Sequence, residues 1–247
     1  MLTYENRALT EEFKHPITKS SVVLDNAAGP GILTGELLKQ VSPSEIPELH
    51  AADLSAAMIK VLDSKGWGEQ YGVEAAVMDA QDLKYPDDKF THVFMNLGIF
   101  ALPDPLKGTK EIFRTLASSG GIALVTTIRG TGWLAPFRNA QKAIKPDAPE
   151  FHGMLPPDWV KPEKIRSLLE EGGFKNVEVR EAGTSMDMKD FSTNQKALIK
   201  LARDIIVQDW TDDEGDAFDK KLAEELEIEE MSGVPRAMDV WVGIATK

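Results

Sequence analysis

Between residues 21 and 128, strand-type runs alternate with helix-type spacing, and this alternation restricts the fold more than any other feature. The segments 21–26 (SVVLDN), 48–53 (ELHAAD), 73–78, 90–96 and 121–128 (GIALVTTI) read as buried strands. Between them, Ile32, Leu33, Leu37 and Leu38 recur at helical spacing, and so do Met58, Ile59 and Leu62. Ser55 is placed to cap the second of these helices and Gly66 to end it. Residues 86–88 (Pro-Asp-Asp) form a turn, and residues 103–116 read as a helix begun at a proline. Strands joined in this order through helices give a mostly parallel, doubly wound α/β sheet with right-handed crossovers.

Beyond residue 128 the pattern changes. Residues 129–160 are rich in Gly, Pro and aromatic residues. A helix is expected over 161–171, stopped by Gly172-Gly173, and a strand over 174–181. Leu198, Leu201, Ala202 and Ile205 set the stripe of a long helix over 191–210. A very acidic helix with Phe218, Leu222 and Leu226 follows, and a closing strand near 238–245 ends the chain. With these two late strands the sheet is expected to hold seven, and the helices outside it form a cap.

The chain has 247 residues, which favours one large domain. It contains no cysteine, so disulfides, thiolate metal sites and a cysteine nucleophile are excluded. That fits a cytoplasmic protein. The formal net charge of −12 repels phosphate backbones, so a nucleic-acid partner is not expected. No apolar run reaches the ~18 residues of a membrane span, and the acids in MLTYENRALTEEF argue against a signal peptide.

The most informative segment is Val22-Val23-Leu24-Asp25-Asn26-Ala27-Ala28-Gly29-Pro30-Gly31. A buried strand ends in an acid, and a small-residue loop leads into a helix. Folds of this kind bind ligands at the carboxyl ends of their strands. Two glycines let backbone approach a ligand, and the helix start offers unpaired N–H groups. The dinucleotide fingerprint would need a third glycine where Thr34 stands.

LDNAAGPG resembles motif I of class I S-adenosylmethionine-dependent methyltransferases, with Ala27 where that family often has glycine. AADLSAAMI resembles the family's acidic second-strand motif. MDAQDLKYPDDKFTHVFMN resembles its third-strand acid and fourth strand, and LPDPLKGTKEIFRTLASSGGIALVTT its next helix and fifth strand. The resemblance runs over about residues 20–130. It implies a Rossmann-like methyltransferase fold that binds S-adenosyl-L-methionine and releases S-adenosyl-L-homocysteine. Asp25, Ala27, Gly29 and Gly31 would border the methionine part. Asp53 would accept from the ribose hydroxyls, with Leu54 and Met58 beside the adenine. Asp79 would accept from the adenine amino group, with Ala80 and Gln81 next to the ring. Asn96 would lie near the sulfonium and amino group. The layout expected is a single domain: a lid helix over 1–19, a cofactor-binding core over 20–130, a cap over 131–160 and 185–232, and closing strands over 174–182 and 238–246.

Each of these residues also has a structural reading. Asp25 can fix the loop as well as border a ligand. Asp53 and Asp79 taken singly are turn acids; together, after successive strands, they favour ligand contact. Asp82, Asp87 and Asp88 read as turn and surface acids, and Gly35 as a site of close helix–sheet packing. Of the four histidines, His50 and His92 fall inside strands and read as structural, while His15 and His152 are the only candidates for a catalytic base. No spacing points to a metal site.

Tyr4, Phe13, Trp133, Phe137 and Phe151 are candidate acceptor-lining residues, with Tyr4 to Phe13 expected to close over the cofactor. The partner implied is a small, fairly apolar acceptor, methylated on S, O or N, with a thiol or phenol favoured because no base stands out. The chain would act as a monomer or weak homodimer. It also resembles methyltransferases of fungal secondary metabolism, including those that methylate thiols of epidithiodiketopiperazines such as gliotoxin. The competing readings are an NAD(P)-dependent oxidoreductase and a non-catalytic cofactor-binding member of the fold.

Overall fold

The computed structural model describes residues 2–4, 16–151, 153, 155–186, 195–232 and 236–247. They form one eight-stranded sheet in the order β1-β7-β8-β6-β5-β2-β3-β4. The strands are β1 (Leu2–Tyr4), β2 (Val22–Asn26), β3 (Glu48–Asp53), β4 (Glu74–Val77), β5 (His92–Met95), β6 (Ile122–Thr131), β7 (Asn176–Met186) and β8 (Arg236–Thr246). The helices are α1 (Ile32–Gln40), α2 (Ala56–Asp63), α3 (Trp67–Tyr71), α4 (Pro105–Thr115), α5 (Ala135–Ile144), α6 (Pro162–Glu171), α7 (Gln195–Ile206) and α8 (Asp212–Ser232).

Strands β6, β5, β2, β3 and β4 pair in parallel, with Asp25 opposite Phe94 on one side and Ala51 on the other. Chain order runs outward from β2 through β3 to β4, then returns to the other side of β2 for β5 and β6. The topological switch point therefore lies between β2 and β5, which is where such sheets open a crevice at their carboxyl ends.

The chain groups into two compact units. One comprises Asn6–Ile128, Asp158–Ala182 and Val240–Lys247; the other comprises Met1–Glu5, Arg129–Pro157 and Gly183–Asp239. In the first unit, one face of the sheet packs Val23, Leu49, Ala51, Phe94 and Leu124 against Leu33, Leu37 and Leu62. The second unit has its own core of Leu134, Phe137, Ala140, Phe151, Ala202, Ile206, Phe218 and Leu222. The stripe read from the acidic helix, Phe218 and Leu222, lies in that core.

Two expectations change. The eighth strand is β1, which pairs antiparallel with β7 through Leu2↔Met186, Thr3↔Ser185 and Tyr4↔Thr184. Residues 2–4 are thus an edge strand, not the start of a lid helix, and residues 16–19 are also non-helical. Three residues carry no readable period, and only pairing with a distant partner makes them a strand. The remainder of the expected lid, including Leu9, Phe13 and His15, lies outside the described residues. Second, Gly35 is needed beneath Trp67 rather than beneath the sheet: a Cβ there would come within 2.7 Å of the indole.

Candidate active site

The first unit gathers the carboxyl ends of β2, β3, β4 and β5. At the β2 tip the chain turns sharply, with Ala27 at φ 58, Gly29 at φ 55 and Gly31 at φ 79. Glycine takes such angles freely, whereas alanine at Ala27 costs on the order of 1–2 kcal/mol. Gly31 is also confined, since a Cβ on it would lie 2.9 Å from Leu62 Cγ. Gly29 differs, because a Cβ there would meet nothing among the described residues within 4 Å. The loop tip is therefore open on that side.

Asp25 holds the loop from below. Its Oδ2 accepts from Thr34 N at 3.1 Å and from Thr34 Oγ1 at 2.7 Å. Thr34 is the third residue of α1, so the carboxylate satisfies one of the helix's orphan N–H groups. Asp25 is only 2% exposed, and burial pushes its carboxyl up to about 6 despite both Thr34 bonds. The hydroxyl that breaks the dinucleotide fingerprint at position 34 is thus a structural tie that glycine could not make.

Asp53 joins the β2 loop to the next strand tip. Its Oδ2 accepts from Gly29 N at 2.8 Å and its Oδ1 from Ser55 N at 2.8 Å. Each carboxylate oxygen retains acceptor capacity for another donor. Ser55 caps α2, as its spacing implied. Beside Asp53 stand three large apolar side chains facing solvent: Leu54 at 69% exposure, Met58 at 41% and Val77 at 55%. Val77 is the register partner of Asp53. A patch of this kind, next to a polar anchor, is what the flat face of a ring would cover.

At the β4 tip, Asp79 Oδ1 accepts from Gln81 N at 2.8 Å and Gln81 Nε2 at 3.1 Å. These bonds hold the Asp79 carboxyl below the usual carboxylate range, the backbone N–H contributing most. Gln81 Oε1 in turn accepts from Asp104 N at 2.8 Å, and Asp104 caps α4. Gln81 is therefore a brace between the acid and a helix start. Ala80 is buried beneath them.

At the β5 tip, Asn96 Oδ1 accepts from Thr126 Oγ1 at 2.8 Å. Leu97 follows at φ 55, and its N–H donates to the same hydroxyl at 2.9 Å. Three residues here escaped the sequence reading. Gly98 packs so close to Ala27 that a Cβ on it would lie 2.7 Å from the alanine Cβ. Thr126 ties β6 to the β5 tip. Asn26, buried at the end of β2, has an Nδ2 without a hydrogen-bond partner among the described residues. Its type was legible inside LDNAAGPG, but its missing partner was not.

All eleven residues assigned to the cofactor by resemblance thus fall on these four strand tips, their loops or α2. The open face at Gly29 and the unpartnered donor of Asn26 fit a ligand lying across the tips. Residues that would hold S-adenosylmethionine are the Gly29 backbone, Asp53, Leu54, Met58, Asp79 and the Asn96–Gly98 turn.

The profile of the methyltransferase domain matches residues 23–120 of this chain. Over those residues the core is similar to a methyltransferase domain. A fungal methyltransferase of Acremonium sp is 27% identical over 229 residues, covering 86% of this chain and 77% of the relative. An acetylaranotin bis-thiomethyltransferase of Aspergillus terreus is 26% identical over 218 residues, covering 83% and 73%. A solved methyltransferase-type structure from Bacillus halodurans has a similar fold, with a TM-score of 0.55, 17% identity and 93% of each chain covered.

Outside these strand tips, the other candidates divide. His50 and His92 are buried on β3 and β5. His50 Nε2 lies 2.6 Å from Glu48 Oε1, and His92 Nδ1 lies 2.8 Å from Thr91 Oγ1. Both keep their structural roles. Asp82 pairs with Lys84, Asp87 with Arg114, and Asp88 with Ser118 and Lys247. In the second unit Phe137 is committed to the core. Phe151 belongs to that core and also borders a cavity of about 410 Å³, together with Leu155, Ile205, Ile206 and Trp210. His152 and the side chains of Tyr4 and Trp133 lie outside the described residues. Among the described residues no three His, Asp or Glu side chains group as metal ligands, and no helix is long and apolar enough to cross a membrane.

Proposed function

We propose that this chain transfers a methyl group from S-adenosylmethionine to a small, fairly apolar metabolite, at a thiol or a phenolic oxygen. The observation that carries the reading is the pairing of Asp53 and Asp79 at successive strand tips with the open backbone at Gly29. Bound S-adenosylmethionine supplies an electrophilic methyl on a sulfonium. The chain's own residues supply position and charge, and alignment of this kind can lower a barrier by roughly 7–11 kcal/mol in favourable systems.

In this reading Asp53 accepts from the ribose hydroxyls, Leu54, Met58 and Val77 cover the adenine, and Asp79 accepts from its amino group. The Asn96–Gly98 turn faces the amino-acid end. A thiol near its pKa needs little help to ionise, whereas an alcohol needs a base. Among the described residues the histidines, His50 and His92, lie inside strands, and a thiol or phenol is the acceptor that asks least of a base. The similarity to a bis-thiomethyltransferase points the same way.

The test is transfer of labelled methyl from S-adenosylmethionine to a panel of apolar thiols, phenols and amines. Incorporation into thiols or phenols is expected. Transfer confined to amines would replace the acceptor class. A protein that binds S-adenosylhomocysteine yet methylates nothing in a producing organism's extract would favour a non-catalytic role.

A further inference from the structure

Leu97 holds a backbone conformation that leucine rarely adopts, with φ 55. Keeping a bulky residue there costs on the order of 1–3 kcal/mol, so the surroundings must over-determine it. The restraint comes from β6. Thr126 is buried, and its Oγ1 accepts from Leu97 N at 2.9 Å while donating to Asn96 Oδ1 at 2.8 Å. A hydroxyl has a single proton, so these two bonds fix both its direction and the peptide between Asn96 and Leu97. The next residue, Gly98, is pinned against Ala27, itself left-handed at φ 58. Two strained turns thus meet across the switch point.

We propose that Thr126 is a positioning residue for the amino-acid end of the bound cofactor, acting through Leu97 and Asn96. The inference rests on the site being an S-adenosylmethionine site. The acids that face adenosine stand on β3 and β4. The β5 tip is three strand spacings from β4, about 14 Å at the usual separation. That span suits a nucleoside at one end and its amino-acid tail at the other. Whatever the 96–98 turn presents therefore meets the tail and not the ring. Thr126 itself touches no ligand. Its hydroxyl keeps the turn from relaxing to an ordinary negative φ.

Two ligands separate this role from a general structural one. S-Adenosylhomocysteine and 5′-methylthioadenosine share the adenosyl thioether, and only the first carries the amino-acid tail. Calorimetric affinities are measured for both ligands on the wild type, Thr126→Val and Thr126→Ser. Thr126→Val, which keeps shape and removes the hydroxyl, is expected to weaken S-adenosylhomocysteine by roughly tenfold or more and to leave 5′-methylthioadenosine within about twofold. Thr126→Ser restores the hydroxyl and is expected to bind both like the wild type. Equal weakening of both ligands, or of neither, overturns the inference. A wild type that binds neither ligand refutes the underlying cofactor reading instead. Should Thr126→Val fail to fold, Thr126→Ala removes the same hydroxyl with a smaller side chain and is expected to show the same ligand-selective loss; an unselective loss there overturns the proposal.

Discussion

The Cβ of Ala27 occupies the space that a side chain on Gly98 would need, at 2.7 Å from the ideal Cβ position. One residue belongs to the β2 loop and the other to the β5 turn, so this contact locks the two walls of the crevice together. Gly98→Ala is expected to destabilise the fold by about 1–3 kcal/mol through overpacking. Ala27→Gly removes the obstructing carbon and the left-handed alanine, and alone should stay within about 1 kcal/mol of the wild type. Combined, the two are expected to be more stable than Gly98→Ala alone. Recovery stays partial, because Met95 Cγ also lies 3.3 Å from the new Cβ. A thermal double-mutant cycle reads this coupling, and simple additivity contradicts the contact.

Asp25 makes a pH prediction with a definite sign. Its carboxyl is raised to about 6 in the folded chain, from an ordinary value of 3.8, because burial disfavours the charge. Between these values the unfolded chain releases its proton first, so this group's contribution to stability is full below about pH 4 and falls as pH rises towards 6. The loss is on the order of 2–3 kcal/mol. Asp25→Asn keeps an oxygen for Thr34 and carries no charge. The stability difference between Asp25→Asn and the wild type should therefore move in favour of the variant between pH 4 and pH 7. A difference that is flat with pH contradicts the buried, raised carboxyl.

Asn26 carries a buried donor that has no partner among the described residues. An unsatisfied buried donor costs roughly 1–3 kcal/mol. Asn26→Leu fills a similar shape with no polar atom, and is expected to raise Tm by about 2–6 °C in a protein of this size. Turnover should fall in the same variant if the amide faces a ligand. A lowered Tm would show that the donor is satisfied in solution.

Gln81 lowers the Asp79 carboxyl through its backbone N–H first and its side chain second. Gln81→Ala removes only the side chain. The Asp79 pKa, followed by NMR titration, is expected to rise part of the way towards the ordinary carboxylate value and no further. No change would show that the Nε2 bond at 3.1 Å does not form in solution.

What the sequence revealed and what it hid differ in range. Strands β2 to β5 and helix α2 were legible because apolar runs, a Ser cap and turn acids are local signals. The acids at 25, 53 and 79 were legible from their places after strands. Strand β1 was not, since Leu2–Tyr4 becomes a strand only by pairing with residues 184–186. Strands β6 and β7 run on to Thr131 and Met186, past where their patterns fade near Gly130 and Gly183. The short helix α3 was missed because five residues carry no period. The ties that shape the site are also non-local: Thr126 to Asn96, Asp53 to Gly29, Ala27 against Gly98. No spacing rule links residues 24, 30 or 71 positions apart, and so Asp25 could be named as a motif acid without its commitment to Thr34 being visible.

The most direct measurement is calorimetric titration of S-adenosylhomocysteine and NADH into the wild type and Asp53→Asn. One S-adenosylhomocysteine should bind per chain, and the loss of charge at Asp53 should weaken it by roughly tenfold or more, with no heat from NADH. Absence of S-adenosylhomocysteine binding alongside a clean NADH isotherm, or undiminished affinity in Asp53→Asn, would contradict a cofactor seated on the β2, β3 and β4 tips.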